Sequence, residues 1–306
     1  GGTVLLGELA LSGELRPVQG ELPALIAARD NGFTDFVVPA ANAGEAGYIR
    51  GIRAFAAADL KEVVGHLSGA FPLSPVPASE FPPPSKRGAS ACDLAFGKTM
   101  LARAIPSVLP ELSFEEALEI TKIHSVAGTL GEEGIVSERP FRTPHHTATT
   151  VSLCGGGSRA VHPGEISLAH GGVLFLDELP EYKRSALEAL RQPLEDGVIT
   201  VSRAGGSVTY PASFMLCAGM NPCPCGNYGS ARRQCTCTPN EIRRYRARVS
   251  GPLLDRIDIQ VEVDGVDYDD LSSAEAAEPS KAVKERATEA RKIQRARFGS
   301  DRMTNG

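Results

Sequence analysis

Four consecutive large apolar residues, Val173-Leu-Phe-Leu176, lead directly into a pair of carboxylates, Asp177-Glu178. An apolar run without alternation needs cover on both faces, which a strand finds in a parallel sheet wrapped by helices and not in a half-solvated antiparallel one. Phe214-Met-Leu-Cys-Ala218 repeats that character. The expected fold is therefore α/β, a parallel sheet with helices on both faces. Sheets of this kind place ligands at the carboxyl ends of their strands. Two adjacent carboxylates there suit two jobs: Asp177 can hold the hydrated Mg²⁺ of a nucleotide, and Glu178 can orient and activate an attacking water. An acidic surface turn is the plainer alternative.

A Mg-nucleotide site also needs a phosphate cradle, and the candidate is Gly97-Lys98-Thr99 at the start of a helix. There Lys98 reaches the terminal phosphates and Thr99 ligates Mg²⁺. A complete loop has a Gly five residues before Gly97, where this chain has Cys92. Asp93-Leu-Ala-Phe96 sets a carboxylate where phosphates belong and a bulky ring where backbone must come close. The loop also needs a buried strand before it, and Pro84-Ser-Lys-Arg-Gly-Ala-Ser90 cannot form one. The triplet reads either as a chance helix start or as the remnant of a phosphate loop. Asn221, just past the second apolar strand, is a residue type that hydrogen-bonds a water or a γ-phosphate; a turn former before Pro222 is the alternative.

Elsewhere the pattern predicts two short strands around Ser12-Gly13, helices over 21–30 and 59–67, and a buried strand at Phe36-Val-Val38. Prolines crowd 71–90 and mark a linker. Helices are expected over 98–105, 113–124, 184–194 and 274–298, the second with a capping box of Ser113 and Glu116. A hairpin is expected over 197–210, turning at Gly205-Gly206. No run approaches the roughly 20 apolar residues of a membrane span, and there is no leader pattern, so a cytoplasmic location without a membrane partner is expected. The net charge of -5 argues against a wholly basic nucleic-acid binder and confines any DNA contact to one face. A first residue Gly1 and a polar ending, 299–306, read as a fragment.

Cys223, Cys225, Cys235 and Cys237 form two C-x-C pairs with nine residues between them. Four thiolates suit a tetrahedral Zn²⁺ site, although one intervening residue per pair is tighter than usual; four reduced, unliganded thiols are the alternative. Cys92, Cys154 and Cys217 read as core or incidental thiols. Arg232, Arg233, Arg243, Arg244, Arg246 and Arg248 face the single acid Glu241 over 231–248. Such a stripe can contact DNA phosphates, with Tyr245 stacking on a base; a solvated helix face or a subunit contact explains it equally. His145-His146 reads as a structural or pore-loop pair, since adjacent side chains tend to point apart.

Several longer motifs occur in one order: Arg139-Pro-Phe-Arg-Thr-Pro-His-His146, Pro163-Gly-Glu-Ile-Ser-Leu-Ala-His170, Val173 to Pro180, Asn221-Pro-Cys-Pro-Cys-Gly226 and Gly251-Pro-Leu-Leu-Asp-Arg-Ile-Asp258. Together they resemble the magnesium-chelatase-like AAA+ ATPases of the YifB/ComM family, over nearly the whole chain. The resemblance implies a P-loop-type AAA+ core, with Asp177 and Glu178 as the Walker B pair, Asn221 as sensor 1 and Arg256 as an arginine finger supplied to a neighbouring subunit. It implies a pore-lining insert over 141–167 and a hairpin over 198–210. It further implies ATP and Mg²⁺ as cofactors, a hexameric ring as assembly, and DNA branch migration in natural transformation as the task. Residues 1–69 resemble part of a Lon-protease-like αβ domain, with Leu22 where Lon proteases carry the catalytic lysine, so no peptidase activity is expected. The implied layout is 1–69 for that domain, 70–96 for the linker, 97–264 for the ATPase core and 265–306 for the start of a helical lid. Relative to the family, the strand and complete loop before Gly97 are missing. A non-hydrolysing scaffold and a true magnesium-chelatase subunit are the competing readings.

Overall fold

The computed structural model describes residues 2–83, 98–131, 133–157, 161–203, 206–230, 233–263 and 278–299. Contacts divide the chain into two compact units, Gly1–Ser85 with Leu112–Glu138, and Lys86–Glu111 with Arg139–Gly306.

In the first unit, β1 (Thr3–Leu5), β4 (Asp35–Pro39) and β5 (Arg53–Ala57) form a parallel sheet in the order β1-β4-β5. A hairpin of β2 (Glu8–Leu9) and β3 (Leu15–Arg16) lies between β1 and helix α1 (Glu21–Asp30) in the chain. Helices α2 (Ala43–Ala46) and α3 (Leu60–Ser68) flank β5 in sequence, and Asp59 caps α3 by accepting the Glu62 N–H. The core gathers Leu22, Leu25, Phe36, Val38, Ala46, Ile49 and Ala54. Leu22 is therefore a packing residue. Helix α4 (Lys98–Val108) belongs to the second unit, whereas α5 (Phe114–Ala127) packs against α1, although it follows the domain boundary near residue 97 expected from sequence. The Ser113–Glu116 capping box that starts α5 is present.

Beneath α1 lies a buried polar cluster. Glu45 accepts from the Ser125 hydroxyl at 2.6 Å, from Asn42 Nδ2 at 3.0 Å and from the Leu22 N–H at 3.3 Å. Glu21 is buried more deeply still, but its carboxyl oxygens have no hydrogen-bond partner. Burial first, and the neighbouring Glu45 second, push its pKa up to about 9. A carboxyl group in that setting is neutral at pH 7.

The second unit is built on a parallel sheet of β6 (Phe141–Arg142), β9 (Val173–Leu176) and β12 (Met215–Ala218), in the order β12-β9-β6 and flanked by helices. Every β9 side chain is buried, as its unbroken apolar run requires. Between β6 and β9 come α6 (Thr150–Cys154), the short pair β7 (Gly155–Gly156) and β8 (His162–Pro163), and α7 (Glu165–Leu168). Arg142 reaches back to Glu165 with two bonds of 2.7 and 2.8 Å, which hold its guanidinium pKa above the usual range. At the entry to β9, a side chain on Gly172 would lie 2.0 Å from the Pro140 carbonyl oxygen, so only glycine lets the two chains run this close.

The segment expected as one helix over 184–194 is two, α8 (Arg184–Glu188) and α9 (Arg191–Asp196). Pro193 is the cause: it lacks an N–H for the Ala189 carbonyl, and its ring would crowd that carbonyl in a continuous helix. The hairpin of β10 (Val198–Arg203) and β11 (Gly206–Pro211) pairs residue by residue from Val198 with Pro211 to Arg203 with Gly206. Helices α10 (Pro239–Arg246), α11 (Gly251–Leu254) and α12 (Ser280–Phe298) complete the unit, α12 starting later than the expected residue 274. No described helix is long and apolar enough to cross a membrane.

Candidate functional site

The carboxylates stand at the exit of β9. Asp177 Oδ2 accepts a hydrogen bond from the Thr99 hydroxyl, in the first turn of α4, at 2.9 Å. Its Oδ1 accepts from the Glu178 backbone N–H, also at 2.9 Å. The exit of β12 runs alongside: the Gly219 N–H donates to Leu176 O, and the Leu179 N–H donates to Gly219 O, each at 2.9 Å. A side chain on Gly219 would lie 2.8 Å from Asp177 Oδ1, so glycine leaves the space the carboxylate uses.

Glu178 is the only non-glycine residue with positive φ, 52°, among the described residues. Left-handed backbone at a residue with a side chain costs on the order of 1–2 kcal/mol, and such strain gathers at working sites. Here it turns the Glu178 side chain toward the segment before α6, where His146 Nδ1 lies 2.9 Å from its Oε2. Tyr182 closes the group by donating its hydroxyl to Pro144 O. Burial, then the nearby Asp177 and Glu178, push the Tyr182 pKa up to about 12. The His145 and His146 rings lie 4.1 Å apart, so this pair faces together, contrary to the expectation that adjacent side chains diverge. Pro144 and His146, between β6 and α6, thus meet Tyr182 and Glu178 just past β9. Sequence reasoning missed both His146 and Tyr182 as neighbours of Glu178, and only the His-His pair offered a signal.

Asn221 follows the β12 exit and is exposed; burial pushes the pKa of Tyr245 on α10 up, and the Asn221 backbone beside its hydroxyl draws it back. Tyr245 is buried, which corrects the expectation that it stacks on a base. Two of the arginines are likewise occupied. Arg246 donates to Pro222 O at 3.2 Å and lies over the Tyr228 ring, and Arg248 pairs with Glu181 at 2.7 Å. Arg233, Arg243 and Arg244 remain exposed, and Arg232 lies outside the described residues. Arg256, just past α11, pairs with Glu195 of α9 at 2.6 Å, so the structure does not bring it to Asp177 and Glu178. Cys92 and Gly97 also lie outside the described residues, as does the side chain of Lys98.

The four clustered cysteines converge. Their sulfurs all lie within 4.8 Å of one another. Backbone N–H groups of Asn227 and Thr236 pull the Cys225 thiol down to about 5, while for Cys237 the Cys225 backbone lowers the pKa but burial and then the Cys225 and Cys223 thiols outweigh it and push it up to about 12.

Residues 93–271 match the family described as magnesium chelatase, subunit ChlI, and residues 1–42 match that described as subunit ChlI of Mg-chelatase. The chain belongs to the magnesium-chelatase-like YifB/ComM family. It is 40% identical to protein YifB of Escherichia coli over 316 residues, covering 95% of this chain and 62% of the relative. It is 38% identical to competence protein ComM of Haemophilus influenzae over 325 residues, covering 96% and 63%. The magnesium-chelatase 67 kDa subunit of Chlorobaculum tepidum is more distant, 31% identical over 128 residues that cover 41% of this chain and 18% of that protein. The chain thus spans 62% of the YifB length. The 325-residue match to ComM is longer than the 306 residues of the chain, so this YifB/ComM-family member lacks residues that ComM has inside the matched stretch.

Proposed function

We propose that the second unit is the catalytic core of an AAA+ ATPase whose ring moves DNA. The observation that carries this reading is the Thr99 hydroxyl on Asp177 at the exit of a buried parallel strand, with Glu178 beside it. A hydroxyl and a carboxylate at 2.9 Å are the oxygen pair that a Mg²⁺ ion takes from a nucleotide-binding protein, so this half of the site fits Mg²⁺-ATP. When bound, Mg²⁺-ATP supplies the transferable phosphoryl group and the charge that links phosphates to protein. Thr99 and Asp177 would hold the metal, and Lys98 the terminal phosphates. Glu178 would orient the attacking water, while His146 and the strained backbone fix where its carboxylate points. Asn221 would bond the γ-phosphate. Arg256 would leave Glu195 to stabilise charge in the site of a neighbouring subunit. The likeness to competence protein ComM supports a competence role, which we read as DNA branch migration, with the exposed Arg233, Arg243 and Arg244 available for phosphate contacts.

Cys92, Asp93 and Phe96 in the loop, together with the residues missing relative to ComM, favour a second reading, a subunit that joins a ring without hydrolysing ATP. Steady-state hydrolysis with branched DNA separates the two. The motor reading expects activity that Glu178→Gln and Arg256→Ala each abolish and that mixing the two variants partly restores, because finger and water-activating residue then meet across one interface. Absence of hydrolysis in the unaltered chain, with assembly intact, contradicts it and leaves the scaffold.

A further inference from the structure

We infer that Cys223, Cys225, Cys235 and Cys237 bind one structural Zn²⁺ ion that fastens the turn carrying Asn221 to helix α10. The sulfurs of Cys223 and Cys225 are 3.4 Å apart, those of Cys223 and Cys235 3.7 Å, and those of Cys225 and Cys235 3.6 Å. A tetrahedron with Zn–S bonds of about 2.3 Å has edges of about 3.8 Å, so these sulfurs already stand near the corners of one. A single S–H···S contact brings two thiols equally close, but all four sulfurs converge within 4.8 Å of one another, as one shared ion requires.

The backbone supports the same arrangement. Gly226, at φ 79°, turns the chain directly after the first pair, and its N–H donates to Cys223 O. The Tyr228 N–H points at Cys223 Sγ at 3.3 Å, and the N–H groups of Asn227 and Thr236 point at Cys225. Amide donors around sulfur offset the negative charge that four thiolates bring to one ion. C-x-C spacing, tighter than usual, still lets all four sulfurs meet within 4.8 Å of one another. Four sulfur donors in a tetrahedral set select zinc over harder ions such as Mg²⁺.

Placement gives the ion its role. Cys223 comes two residues after Asn221, and Cys237 immediately precedes Thr238, the capping residue of α10. Arg246 of α10 returns to Pro222 O, and the Tyr245 hydroxyl lies beside the Asn221 backbone, which lowers its pKa against burial. The loop and the helix therefore brace one residue from both sides. This assignment does not depend on nucleotide binding.

The test is metal analysis of the purified chain together with thiol alkylation read by mass spectrometry. Expected are about one zinc per chain and four cysteines that alkylate only after a chelator is added. Cobalt substituted for zinc should give the visible bands of a tetrahedral thiolate site. Cys225→Ser and Cys237→Ser should each lower the metal content and the thermal midpoint, while Cys154→Ser changes neither. Should the ligand variants fail to fold, the protection of the unaltered chain still decides. Zinc absent with thiols equally reactive with and without chelator, disulfides among the four, iron in place of zinc, or metal retained by both ligand variants would each overturn the inference.

Discussion

β9 and β12 lie side by side in one parallel sheet, each four residues long and each written in apolar residues, yet their surroundings differ. β9 has strands on both sides and no exposed side chain, whereas β12 is the edge strand of the described sheet and begins on Met215, 46% exposed. An apolar run reports membership of a covered sheet but not position within it. The difference reaches the function of each strand. β9 ends in carboxylates fixed by backbone, hydroxyl and imidazole, while β12 ends in a turn whose order comes from the cysteine loop and α10.

The comparison is broken most readily at its centre. Leu174→Ala should destabilise the second unit by about 2–5 kcal/mol, because the cavity is enclosed on all sides; denaturant melts measure it, and a loss below 1 kcal/mol by the same principle would mean that β9 is not the core strand. A second test asks whether burial rules in the first unit too. Glu21 keeps its proton when folded up to about pH 9 but loses it when unfolded near the ordinary value of 4.5. Stability should therefore fall as pH rises between those values, by up to about 1.4 kcal/mol per pH unit, and level off above. Glu21→Gln should flatten that slope; an unchanged slope would locate the effect elsewhere.

Smaller effects sharpen the contrast at the strand ends. Glu178→Gly should raise the melting temperature slightly, by relief of up to about 1 kcal/mol of left-handed strain, while removing the carboxylate. A loss of stability instead would show that the bond to His146 outweighs the strain. Met215→Ala should change stability least, within about 0.5–1 kcal/mol, as an exposed edge position.

Much of this was legible from residue patterns. The range of α1 matches residue for residue because Gly20 and Asn31 bound an unbroken helical stretch, and the box at Ser113 is local chemistry; the matching box at Thr238 and the helix it starts were not read from the sequence. β5 escaped notice because Arg-Ala-Phe-Ala-Ala has weak strand propensity and is held by its pairing with β4. β6 is two residues long and gains its identity only from β9. At the site, Asp177 and Thr99 were legible as types, 78 residues apart in sequence, but their bond is a product of packing. His146 against Glu178, Tyr245 in the core and Arg248 on Glu181 are likewise tertiary facts, and no spacing along the chain encodes them.

The central claim is that Thr99, Asp177 and the start of α4 still make a Mg²⁺-nucleotide site despite Cys92. Binding of a fluorescent ATP analogue, titrated with and without Mg²⁺ in the unaltered chain, Lys98→Ala and Asp177→Asn, tests it most directly. Saturable binding that requires Mg²⁺, is lost in Lys98→Ala and is weakened roughly tenfold or more in Asp177→Asn is the predicted result. Binding that is absent throughout, or that is the same in all three proteins, would contradict it.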